Sequence, residues 1–130
     1  VAEVLVFPDS VQAVLDLIDS KVFAGKQVRA GTYLPLTSFD SEPFALVIGE
    51  GGPPGYVDQV ERVRIQIYGP YNDPLDIAKS MRAQLVGDNI DTPAGFIDNI
   101  KADQVPTQIP YHETVSMATL MLSVTSRPIL

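Results

Sequence analysis

The sequence predicts an α+β fold: a single mostly antiparallel or mixed β-sheet of four to five strands with two helices packed on one face. Three observations point there. Apolar residues recur at helical spacing in two places, around Val14 and around Ile77, and other runs alternate or stay apolar over strand length. The order of these runs is helix, two or three strands, helix, two strands, which suits helices layered on a sheet. The 130 residues, 45% hydrophobic and 19% charged, read as one domain spanning 1–130, with no internal repeat or boundary.

The first helix enters at Pro8-Asp9-Ser10, with Asp9 or Ser10 as N-cap. Val11, Val14, Leu15, Leu17 and Ile18 then form its apolar face, and it is expected to end near Val22 to Gly25. "QVRAGTYLP" reads as a short strand stopped by Pro35, "TSFDSE" as a turn, and "PFALVIGE" as a compact apolar strand. "ERVRIQIYG" is the clearest strand: Val63, Ile65 and Ile67 point one way, and Arg62, Arg64, Gln66 and Tyr68 the other. The second helix follows an Asn72 or Asp73 cap, with Pro74 in its first turn, Asp76 where the helix dipole favours an acid, and Gly87 as its stop. Its buried stripe is Ile77, Ala78, Met81 and Leu85, which leaves Lys79, Arg82 and Gln84 towards solvent. "DNIDTPAG" is turn-rich, "FIDNIKADQV" is a strand with irregular alternation, and "PTQIPYHE" is a proline-bounded connection. "TVSMATLMLSVTS" is apolar on both faces from Ala118 to Val124, as in a central strand.

Charge and composition narrow the function. A formal charge of −7 disfavours a protein that grips a nucleic-acid backbone, because that task needs clustered Lys and Arg. There is no cysteine, so disulfides, thiolate nucleophiles and Cys-bearing metal sites are excluded. The N-terminal "VAEVLVFPDSVQAVLDLID" has no cation before Lys21 and is broken by Glu3, Pro8, Asp9 and Asp16, so it reads as neither signal peptide nor membrane span.

Few residues suggest chemistry. The Gly-rich run "VIGEGGPPGYVDQV" lacks the following helix, Lys and Ser or Thr of a phosphate cradle, and Pro53 and Pro54 donate no N–H. It reads as a long hairpin connection. His112, the single histidine, stands beside Tyr111 and Glu113 without a nucleophile set, and one His makes no His-based metal site. Asp88 and Asp91 miss the calcium-loop pattern, and Asp98 and Asp103 need further acids from the fold. Met117 and Met121 are expected in the core, and Tyr68 and Tyr71 at a strand-to-helix corner. Arg62 and Arg64, with Glu61 and Asp58 nearby, form a mixed patch suited to a protein interface. Together with the loop they give the interface candidates: Glu50, Gly51, Gly52, Pro53, Pro54, Tyr56, Arg62 and Arg64.

At "RVRIQIYGPYNDPLDIAKSMRAQLVG" the chain resembles the tail terminator (tail completion) family of long-tailed bacteriophages. The parts that match are an alternating strand (Val63, Ile65, Ile67), an Asn72-Asp73-Pro74 break, a helix with Ile77, Ala78, Met81 and Leu85 in its stripe, and a small-residue stop at Gly87. The resemblance implies a non-enzymatic structural virion protein without cofactor or bound metal. It implies a homo-oligomeric ring, typically of six subunits, at the head-proximal end of the tail tube. There the ring ends tube polymerisation and meets two partners, the tail tube protein and the head-to-tail connector. It also implies a place in the tail neck of the virion, after assembly in the host cytoplasm, with no membrane contact. DNA passes the lumen without specific binding, which the acidic charge favours. Two other readings stand beside it: another phage neck or tube structural protein, such as a stopper or connector, and a small-ligand-binding domain using the Tyr68 to Tyr71 corner and His112.

Overall fold

The computed structural model describes residues 9–34, 43–52, 59–112 and 114–127. In chain order the elements are α1 (Ser10–Ile18), β1 (Lys21–Phe23), β2 (Lys26–Gly31), β3 (Phe44–Gly51), β4 (Gln59–Pro70), α2 (Asp73–Leu85), β5 (Gly87–Thr92), β6 (Gly95–Ala102), β7 (Thr107–His112) and β8 (Val115–Ser126). The strands form one eight-stranded sheet in the order β1-β2-β3-β4-β8-β6-β5, with β7 also paired to β8. Among the described strands β2 and β3 run parallel and the other pairs are antiparallel.

This overturns the expected layer of four to five strands with two helices packed on one face. The described chain is mostly β structure, with eight strands in a curled mixed sheet and two helices. Three strands lack the signals that mark a half-buried strand. β1 is three residues long, in a hairpin closed by Ala24 and Gly25, whose φ of 53° and 77° suit a two-residue turn with both residues left-handed. β5 is "GDNIDT", made of turn-favouring residues, and β7 is "TQIPYH", interrupted by a proline. All three lie at margins of the sheet, where apolar alternation is not required and proline is tolerated.

The same hairpin corrects the end of the first helix. α1 stops at Ile18, not near Val22 to Gly25, and the Asp19 N–H returns to the Leu15 carbonyl at 2.8 Å. Ser20 then adopts φ 59°, which turns the chain into β1. At its other end Asp9 is the N-cap, its carboxylate accepting the Gln12 N–H at 3.1 Å.

The core lies where α1, α2 and the inward side chains of the sheet meet. Val63, Ile65 and Ile67 of β4 and Ala118, Leu120, Leu122 and Val124 of β8 are buried together, with Ala45 and Val47 of β3. Ile77, Ala78, Met81 and Leu85 of α2 close over them, joined by Ala13, Val14 and Ile18 of α1. Full burial of one such aliphatic side chain contributes about 1.5–3 kcal/mol. β6 buries Ile97 and Ile100, three residues apart, because a bulge between Ile97 and Asn99 changes which residues face inward. That bulge is the cause of its irregular alternation.

Long-range polar contacts fix α2. Asn72 is its N-cap but makes no side-chain capping bond; Gln108 of β7 supplies one instead, its side-chain carbonyl accepting the Leu75 N–H at 3.0 Å. The Gln108 amide donates to Asn72 Oδ1 at 3.3 Å. The β1–β2 hairpin reaches α2 as well, through Lys26 to Asp73 at 3.2 Å and the Ala24 N–H to Ser80 Oγ at 3.3 Å.

Candidate protein interface

The pleat that turns Val63, Ile65 and Ile67 inward turns Arg62, Arg64, Gln66 and Tyr68 to the opposite face of the sheet. Strand register places their neighbours on that face. Phe44, Tyr68 and Met117 stand in one row; Leu46, Gln66 and Thr119 in the next; Ile48, Arg64 and Met121 in a third. The rows run from an apolar end to a charged one.

At the apolar end Tyr68 and Val115 are buried with Phe44, Leu46 and Met117 packed round them, and no helical residue belongs to this cluster. The ring of Tyr68 meets that of Tyr111 edge-on, with centroids 4.8 Å apart and planes at 74°. Burial, followed by the proximity of Tyr111, holds the Tyr68 hydroxyl above its ordinary titration range. Its hydroxyl donates to Gln66 Oε1 at 3.2 Å. Beyond Tyr111, β7 and the residues before it expose Ile109 and Val105.

At the charged end Arg64 of β4 pairs with Glu50 of β3. Arg62 Nε lies 3.4 Å from Asp103, whose two carboxylate oxygens also accept the Ser123 hydroxyl at 2.7 and 2.8 Å. These pairs sit beside the root of the β3–β4 hairpin. Gly51 there has φ 71°, at a shift of register between Gly49 and Gly51, a position that disfavours any side chain. At Gly52 a Cβ would come within 2.0 Å of the Val60 carbonyl oxygen, so only glycine fits.

Of the sequence candidates, Glu50, Gly51, Gly52, Arg62 and Arg64 therefore come together around one end of this outer face. Pro53, Pro54 and Tyr56 lie outside the described residues, as do Asp58 and Glu113. Met117 and Met121 are on this outer face, not in the main core, because the inward residues of β8 are the even-numbered ones. Tyr68 and Tyr71 do not make a ligand platform: Tyr68 is buried while Tyr71, at φ 52°, is exposed, with its N–H on the Thr114 carbonyl at 3.0 Å. Asp98 and Asp103 serve separate cations, Asp98 binding Arg127 at 2.9 Å, and no metal-binding group of three acids or histidines forms among the described residues. Asp103 as the partner of Arg62 was not legible in sequence, because it depends on the register of β4, β8 and the end of β6.

The arrangement offers side-chain recognition without a reacting centre among the described residues: an apolar surface for burial, and adjoining ion pairs to set orientation. Compared with models of known protein families and with curated proteins, the chain matches none.

Proposed function

We propose that this chain is a structural virion protein of a long-tailed bacteriophage, forming a ring at the head-proximal end of the tail tube that ends tube polymerisation and joins the tail to the head connector. The observation that carries the reading is the face of β3, β4 and β8 that the described helices do not pack on, with Phe44, Leu46 and Met117 at one end and the Arg64–Glu50 and Arg62–Asp103 pairs at the other. An apolar region adjoining charged groups is a feature of protein-binding surfaces. The strand, break and helix that underlie the resemblance lend further support: β4 ends at Pro70, Asn72 caps, and α2 runs from Asp73 to Leu85. The net charge of −7 suits a lumen that DNA crosses without adsorbing.

The test is to add the purified chain to purified tail tubes and image them by negative stain. Ring-shaped caps at one tube end, with elongation halted in the presence of free tube subunits, are the expected result. Tubes that elongate unchanged and carry no cap refute the reading. A chain that stays monomeric and melts higher with a small ligand points to the binding-domain alternative.

A further inference from the structure

A second surface lies between α2 and the end of β6, where Lys101 shares a row with Ser123 and Arg62. Of the nine Lys and Arg, Lys26, Arg62, Arg64 and Arg127 are in ion pairs. The other five have no ion pair among the described residues, and three of them, Lys79, Arg82 and Lys101, line a single open cleft of about 520 Å³ between α2 and β6. Its remaining lining is Ala83, Val86 and Ala102. In a chain of charge −7, this is a local concentration of three cations without an ion pair among the described residues, beside the small apolar side chains Ala83, Val86 and Ala102.

The opposite charge lies on α1. Asp9, Asp16 and Asp19 recur at i, i+7 and i+10, which places them along one side of that helix with Gln12. None forms an ion pair among the described residues: Asp9 caps Gln12, Asp16 accepts the Gln12 side-chain amide at 2.9 Å, and Asp19 accepts the Ala30 N–H at 3.1 Å. No Lys or Arg occurs from Asp9 to Ser20. α1 contributes nothing to the lining of the cleft, so one chain cannot satisfy both surfaces at this site.

We infer that the cleft between α2 and β6 receives the acidic side of α1 from a second copy of this chain. The two surfaces are different patches, so the contact is head-to-tail, and repeated head-to-tail contacts close into rings when the rotation permits. It rests on the ring reading above for that closure. Charge complementarity chooses the occupant. A nucleic-acid backbone is disfavoured because three cations release few counterions and the rest of the surface repels phosphate. The small apolar side chains of the lining suit the aliphatic parts of a packed polypeptide.

The test uses the full chain and two charge-reversed variants, Lys79→Glu/Lys101→Glu in the cleft and Gln12→Lys/Asp16→Lys on α1. These leave Arg82 at the α2 C-terminus and the Asp9 cap intact. Mass is read by sedimentation velocity at low and high salt, with circular dichroism confirming that each variant is folded. The wild-type chain is expected to associate, and to loosen as salt rises. Each variant alone is expected to raise the dissociation constant by about a hundredfold or more, since like charges face each other. The equimolar mixture is expected to recover wild-type mass, because each altered surface then meets its complement. Wild-type protein that remains monomeric, or a cleft variant that associates normally, overturns the inference. So does a cleft variant that keeps self-association but loses tube binding, which assigns the cleft to the tube. Rings that obey the charge swap yet never cap tubes refute the tail reading and leave this contact standing; capping by the cleft variant does the reverse.

Discussion

Replacing Ile65 and Met121 by alanine, one at a time, separates the two faces of the sheet. Ile65 pairs with Leu120, and the next pair along is Arg64 with Met121, so the two test positions are neighbours on adjacent strands with opposite orientation. Ile65 is fully buried in the main core. Its truncation removes buried methyl and methylene groups and leaves a cavity, at a cost of about 2–5 kcal/mol. A domain of this size holds roughly 6–20 kcal/mol of stability, so the variant remains folded in buffer. Met121 is half-buried on the opposite face, and its truncation costs the free chain about 1 kcal/mol. With a urea slope of about 2 kcal/mol per molar, Ile65→Ala lowers the unfolding midpoint by roughly 1–2.5 M, while Met121→Ala shifts it by about 0.5 M. Capping of tail tubes supplies the second readout, in which Met121→Ala weakens binding and folded Ile65→Ala does not. A Met121→Ala midpoint that falls as far as that of Ile65→Ala means that the outer face is covered, and the assignment of the two faces fails.

Other expectations follow from single contacts. Gln108→Ala removes the acceptor for the Leu75 N–H and is expected to cost about 0.5–2 kcal/mol, with faster exchange at the Leu75 amide measured by NMR. Gly52→Ala is expected to destabilise by more than about 1 kcal/mol, because the added Cβ meets the Val60 carbonyl; Gly87→Ala, where no atom lies within 4 Å, is the control for chemical denaturation and is expected to stay near wild type. For pH, Tyr68 is neutral in the fold with its pKa raised above the ordinary 10.0, so the unfolded chain ionises first. The stabilisation is fully present below about pH 10 and is lost as pH rises through the higher folded value. Melting curves from pH 9 upward are therefore expected to fall more steeply for wild type than for Tyr68→Phe, and identical slopes refute the burial of the hydroxyl.

What the sequence reveals of this fold is what periodicity encodes. Ile77, Ala78, Met81 and Leu85 repeat at helical spacing because α2 buries one stripe, and Val63, Ile65 and Ile67 alternate because β4 has one covered face. β8 is apolar on both faces, and this hides which one meets the helices; Met117 and Met121 could be placed only once the register with β4 was known. β1, β5 and β7 escaped detection because marginal strands answer to pairing partners rather than to burial. The site divides in the same way. Arg62 and Arg64 were legible as outward residues of an alternating strand, whereas Asp103, Ser123 and the convergence of Lys101 with Lys79 and Arg82 arise from contacts between distant segments.

The strand edges bear on how any ring of this chain is built. Among the described residues, β1, β5 and β7 each have one strand partner, and each carries a feature that opposes a second. β1 is only three residues long and exposes Lys21. β5 exposes Asp88 and Asp91 on either side of Asn89, which has φ 56° and is skipped in the register between Asp88↔Asn99 and Ile90↔Ile97. β7 contains Pro110, which has no N–H, followed by a shift of register before His112. Short length, charge, bulges and proline are the means by which sheets discourage strand addition. Assembly through backbone pairing is thus disfavoured at these three strands, which favours side-chain surfaces: the β3–β4–β8 face and the cleft beside α2. The two routes differ in hydrogen exchange. On assembly, the outward amides of β1 and β5 are expected to exchange as in the monomer, while the cleft reversals weaken association; new protection at those amides refutes assembly through faces.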